Sequence, residues 1–147
     1  MNSISKMILA TVASVMFLGT AAMAADNGAA HKVVIQISTG DPAEQNLALN
    51  NAVNVQKDFG PGEVDIEIVA YGPGLSILTK NPDNKSAERV ASLAKSDITF
   101  SACGNTMKNM AKKSGKEPVL IDGVKIVPAG VVRLMQLQEQ GYSYIRP

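Results

Sequence analysis

One pattern constrains this chain more than any other: short β-branched runs alternate with helix-patterned stretches, and glycine or proline marks nearly every junction. Lys32 to Ile37 is the first run, ended by Ser38-Thr39-Gly40. Val64 to Tyr71 is the second, turned by Gly72-Pro73-Gly74. Asp97 to Ala102, Val124 to Val127 and Tyr142 to Ile145 complete a set of five expected strands. Strands separated by helices cannot form hairpins. They pair in parallel and need cover on both faces. The expected fold is therefore α/β: a three-layer α/β/α sandwich around a mostly parallel five-stranded sheet. The order of the strands is not readable from one sequence.

The intervening stretches carry helix signals. Asp41-Pro42-Ala43-Glu44 supplies an N-cap, a proline at N1 and a glutamate at N3. Ala48, Ala52, Val55 and Phe59 then form one apolar stripe, widened by Leu49 and Val53 and stopped by Gly60-Pro61-Gly62. Leu75 to Leu78 reads as a single helical turn. Ala87, Val90, Ala91 and Ala94 share one helix face. A further helix opens at Gly104-Asn105-Thr106, with Asn105 or Thr106 as its expected cap, and ends near Gly115. In the last helix, Val131, Leu134, Met135 and Gln138 share a face, and Gly141 caps it.

The amino end is of a different kind. Lys6 precedes an apolar run from Met7 to Leu18, broken by Gly19-Thr20 and followed by Ala22-Met23-Ala24. That three-part pattern is a secretory signal peptide, 1–24, with cleavage after Ala24. The run is too short to span a membrane, which takes about 20 residues. Residues 25–30 read as a flexible lead-in and 31–147 as a single domain. No later segment is apolar for long enough to span, so the mature chain is expected to be periplasmic or secreted. Lys6 is the only charge in the leader. With 14 basic and 13 acidic residues overall, the rest balances to zero, which leaves no electrostatic footprint for nucleic acid.

Chemistry is sparse. One cysteine and one histidine exclude disulfide frameworks and the usual zinc sites. His31 starts the first strand, at the opposite end from Cys103, so a cysteine–histidine hydrolase is disfavoured. Gly72-Pro73-Gly74 lacks the third glycine of a dinucleotide fingerprint, and no cofactor is implied. Asn46, Asn50 and Asn54 read as a solvated helix face.

Ligand sites on parallel sheets lie beyond the carboxyl ends of the strands. Those corners hold Thr39 and Gly40, Tyr71, Gly72 and Gly74, then Cys103 with Gly104, Asn105 and Thr106, and finally Pro128-Ala129-Gly130. Only Cys103 is a nucleophile. A cysteine at a helix N-terminus, with Lys108 nearby, is expected to be unusually acidic and able to hold sulfur as a persulfide. Thr39, Gly40, Tyr71, Gly72, Gly74, Gly104, Asn105 and Thr106 are the candidate ligand-binding set. Two alternatives stand beside this. Cys103 is a small buried hydrophobe in a non-enzymatic binding or oligomeric structural module. Or Cys103, Met107 and Met110, spaced along one helix face, bind Cu(I), against which Met107 and Met110 read as core.

Several blocks carry a resemblance. Lys32-Val33-Val34-Ile35-Gln36-Ile37, Leu49-Asn50-Asn51-Ala52-Val53-Asn54, Val69 to Leu75, Phe100 to Met107, Val127-Pro128-Ala129-Gly130-Val131 and Leu137-Gln138-Glu139-Gln140-Gly141-Tyr142 together resemble the DsrE/DsrF-like proteins, most closely their exported branch. The resemblance implies an α/β/α fold and homo-oligomers, trimers or hexamers. It also implies a relay in which one cysteine, here Cys103, carries sulfur as a persulfide, as in sulfur oxidation and transfer-RNA thiolation. An exported chain fits periplasmic handling of sulfane sulfur better than transfer-RNA thiolation. With no second cysteine to resolve it, the sulfur must pass to a partner protein or a small thiol.

Overall fold

The computed structural model describes residues 28–147. The expected signal peptide and the first three residues of the lead-in lie outside the described residues, and 28–30 carry no helix or strand. The strands are β1 (His31–Ile37), β2 (Val64–Ala70), β3 (Ile98–Cys103), β4 (Lys125–Val127) and β5 (Ser143–Ile145). The helices are α1 (Pro42–Phe59), α2 (Ala87–Ala94), α3 (Gly104–Ser114) and α4 (Gly130–Glu139), with a 3-10 helix over Gly72–Leu78. All five strands pair in parallel, in the order β4-β3-β2-β1-β5.

Side chains on a strand alternate between faces, and here the two faces differ sharply. Val33, Ile35 and Ile37 of β1, Ile66 and Ile68 of β2, and Ile98 and Phe100 of β3 enter one core. Ala48, Leu49 and Ala52 of α1, Leu75, Ile77 and Leu78 of the 3-10 helix, Val90 of α2 and Met107 of α3 close over it. On the other face Val34 and Val69 meet Leu134 and Leu137 of α4, with Tyr71 and Tyr142 packed against them. The three layers are present but unequal, because a single ten-residue helix covers the second face.

That second face is largely polar. Glu67 of β2 accepts hydrogen bonds from Arg133 of α4 and Ser101 of β3. Tyr142 donates to Asp65 and Tyr144 donates to Gln36. Burial, reinforced by the hydrogen bond to Asp65 and the Asp65 and Glu67 charges, pushes the Tyr142 phenol well above its ordinary value. A pKa raised on folding gives stability that is full below the unfolded value of about 10 and lost as pH rises beyond it. Tyr142→Phe is therefore expected to cost about 1 kcal/mol at neutral pH. The gap to wild type should close in urea melts run at increasingly alkaline pH. A gap that persisted unchanged there would contradict the assignment.

Several expectations are corrected in detail. Asp41 does cap α1, accepting from the Ala43 amide at 2.7 Å. Phe59 leaves the apolar stripe. It is 44% exposed and stacks on His31 with ring centroids 3.9 Å apart, because the last turn of α1 runs past the amino end of the sheet. Val131 and Met135 are also outside, at 57% and 56% exposed. Gly130, Leu134 and Leu137 form the buried face of α4, since Arg133 must point inward to reach Glu67. Strand β5 begins at Ser143, one residue later than expected. Gly141, with φ +87°, follows the helix as a left-handed stop.

Candidate functional site

The carboxyl ends of the strands lie along one edge, so strand order decides which corners meet. β3 sits between β4 and β2, and the Cys103 corner is flanked by the Gly130 corner on one side and the Tyr71-Gly72 corner on the other. Cys103 is the last residue of β3, paired with Val127, and is itself the N-cap of α3. The helix starts at Gly104, so the cap is neither Asn105 nor Thr106.

This cap position explains the electrostatics. Cys103 is 6% exposed, and burial by itself pushes the thiol up. Hydrogen bonds oppose that and win: the Thr106 hydroxyl and the backbone amides of Gly130, Thr106 and Asn105 hold the pKa below the ordinary value. Two of those amides belong to the first turn of α3 and one to the first turn of α4. Helix starts carry partial positive charge, and Cys103 lies at the start of α3 beside the corner that opens α4. Lys108, the expected source of positive potential, is not among the causes.

Thr106 has a second duty. Its Oγ1 accepts the Gly72 amide at 3.0 Å, which leaves its own proton directed to the sulfur. Gly72, with φ +55°, is in the left-handed region that favours glycine. The Asn105 amide also donates to the Pro128 carbonyl at 3.2 Å, tying α3 to the β4 corner. Gly130 is closely packed: a Cβ there would lie 3.0–3.2 Å from the ring and Cβ of Tyr71. Gly104 is similarly close-packed, since a Cβ would lie 3.2 Å from the Val127 carbonyl. Beside Thr106, a cleft of about 320 Å3 is lined by Gly72, Pro73, Asn109, Met110 and Lys113.

The structure thus brings Cys103, Gly104, Asn105, Thr106, Tyr71 and Gly72 to one corner. Gly74 lies against the backbone of Ile37. The Thr39 hydroxyl accepts the Asp41 amide and its carbonyl accepts from Gln45. Gly40 faces Pro73 and lines a separate cleft with Gln45 and Asn84. These three shape the neighbouring corner rather than the sulfur's surroundings. The Cu(I) alternative required Met107 and Met110 to join Cys103; instead both pack into the larger core, to which Cys103 does not belong. Sequence reasoning named the Gly130 corner but not its amide as a ligand of the sulfur, and nothing local marked Glu67, Ser101 or Arg133.

Comparison with known proteins agrees with this fold. No curated protein matches the chain. Among solved structures, a protein of unknown function from Methanobacterium thermoautotrophicum, MTH1491, is 31% identical with a TM-score of 0.70, covering 80% of this chain and 99% of its own. The YchN protein of E. coli shares the fold at a TM-score of 0.61 and 15% identity, with the same coverage. The DsrE/DsrF-like family profile matches residues 31–147, from the first residue of β1 to the end of the chain. On that match and that fold, the chain belongs to the DsrE/DsrF-like family.

Proposed function

We propose that this protein is an exported sulfur-relay protein in which Cys103 takes up a sulfane sulfur as a persulfide and hands it on. The observation that carries the reading is the position of Cys103 at the N-cap of α3, between the Gly130 and Tyr71-Gly72 corners, where hydrogen bonding holds its thiol below the ordinary pKa. Such a site favours the thiolate, the form that attacks sulfur. Family membership supports a sulfur-relay role in general.

The step needs no cofactor. The Cys103 thiolate attacks the outer sulfur of a small persulfide, forming a new S–S bond as the donor's S–S bond breaks. The donor leaves as a thiolate. Transfer is the same displacement in reverse: an acceptor thiolate attacks the outer sulfur and Cys103 leaves as thiolate. As the only cysteine, Cys103 cannot close an internal disulfide, so the sulfur goes to a partner or small thiol.

Export rests on the 1–24 leader pattern, and among the described residues no helix is long and apolar enough to cross a membrane. Homo-oligomerisation fits the exposed Ile126, Val131, Val132 and Met135, apolar surface of the kind that subunit contacts cover.

Incubation of the purified protein with a low-molecular-weight persulfide should add the mass of one sulfur atom to the wild type and nothing to Cys103→Ser. No gain on the wild type, or the same gain on the variant, would reject the proposal. The low exposure of Cys103 favours the buried structural cysteine as the second reading. A native thiol that resists iodoacetamide at neutral pH would decide for it.

A further inference from the structure

Helix α4 buries Leu134 and Leu137 but leaves three apolar side chains in solvent. Val131, Val132 and Met135 face outward while Arg133, between them in sequence, points to the sheet. The partner that draws Arg133 inward is Glu67, in the middle of β2 and only 3% exposed. The guanidinium grips both carboxylate oxygens, with Nε donating to Oε1 at 2.7 Å and Nη2 to Oε2. Ser101 Oγ donates to Oε1 at 2.6 Å.

Such a pair is poor evidence for stability, since a buried ion pair can be replaced by apolar residues with no loss. Its fork geometry does fix direction and register. Ser101 lies two residues before Cys103 on the same face of β3. Arg133 lies one turn after Gly130 in α4, its amide bonded to the Ala129 carbonyl. One carboxylate is therefore tied to both elements that meet at the sulfur. We propose that Glu67 and Arg133 are positioning residues: their ion pair, acting with the buried Leu134 and Leu137, fixes the register of α4 that keeps Gly130 beside Cys103. The inference rests on Cys103 being the sulfur-accepting thiol.

The ionisable groups around the pair are Asp65 of β2 and Tyr142, which precedes β5. Those facing Cys103 are neutral: the Thr106 hydroxyl and the three amides. A change at Glu67 therefore reaches the sulfur through the placement of α4.

The test is the pH dependence of Cys103 alkylation by iodoacetamide in wild type, Glu67→Gln and Arg133→Lys, with Asp122→Asn as control for the exposed Lys80–Asp122 pair. Glu67→Gln should move the midpoint up by about one unit and slow alkylation at pH 7 about tenfold. Arg133→Lys, which keeps the charge but not the fork, should shift it in the same direction by less. Asp122→Asn should leave it in place. Should Glu67→Gln fail to fold, Ser101→Ala, which removes one hydrogen bond and spares the ion pair, gives the same readout. A thermal midpoint that drops while the alkylation profile stays put would overturn the inference, leaving the pair a purely structural brace. Sulfur loading in the same preparations separates the two claims. A wild type that accepts sulfur but is indifferent to Glu67 rejects only the positioning role. A wild type that accepts none rejects both.

Discussion

A Gly74→Ala variant is expected to lose stability at or beyond the top of the range of about 1–3 kcal/mol usual for overpacking. A Cβ at Gly74 would lie 2.3 Å from the Ile37 carbonyl oxygen, 2.6 Å from its carbon and 2.9 Å from the Ser38 nitrogen. All three are backbone atoms of β1 and its exit, so no side chain can swing aside. Relief requires the 3-10 helix to move off the sheet, and that carries Gly72 away from Thr106. The urea midpoint should fall steeply, and thiol reactivity should change with it. Gly115→Ala is the contrasting case. It has a positive φ, +72°, but meets nothing within 4 Å, so it should cost only about 1 kcal/mol from its backbone conformation. Equal losses in the two variants would show that the close approach of Gly74 to β1 has been overstated.

The second large effect is expected from Thr106→Val, which keeps the shape and removes the hydroxyl. The part-buried Gly72 amide then loses its acceptor, a loss of about 1 kcal/mol. Cys103 loses its one side-chain donor, and the balance tilts back toward burial, which raises the thiol pKa. Alkylation at pH 7 should slow about tenfold for each unit of that rise. The sign of the linkage is that of an acid held ionised. A thiol pKa lowered on folding stabilises the native state above the unfolded value of about 8.5, and that stabilisation is lost as pH falls through the folded value. Denaturant melts of wild type and Cys103→Ser should therefore converge on acidification. In the Thr106→Val background the two should differ less at alkaline pH. An unchanged alkylation rate in Thr106→Val would remove the hydroxyl from the site.

Much of this was legible in the sequence, because it depends on periodicity and punctuation. Alternation located the five strands, Asp41-Pro42 marked the start of α1, and the glycine corners marked the edge where a ligand site belongs. Cys103 stood out as the only nucleophile there. What the sequence hid is non-local. Strand order depends on how crossovers fold back, and only that order sets the Gly130 and Gly72 corners on either side of Cys103. Hydrophobic spacing put Val131 and Met135 of α4 inward. It gave no weight to an arginine whose partner is 66 residues away. The cap of α3 was misplaced because cysteine is a poor capping side chain. Here it caps by position, without the side-chain hydrogen bond that a serine or aspartate oxygen would supply. Phe59 shows the limit of a stripe: a helix can outrun the sheet it packs on, and its last apolar residue then finds His31 instead of the core.

The central claim is that hydrogen bonds from the Thr106 hydroxyl and the neighbouring amides outweigh burial and hold the Cys103 thiol below its ordinary pKa. The most direct test is an ultraviolet titration of the folded wild-type protein, with Cys103→Ser as the blank. A single cysteine makes the signal unambiguous. The account predicts a midpoint clearly below the ordinary thiol value of about 8.5. A midpoint at or above that value would mean that burial outweighs the hydrogen bonds and would contradict it.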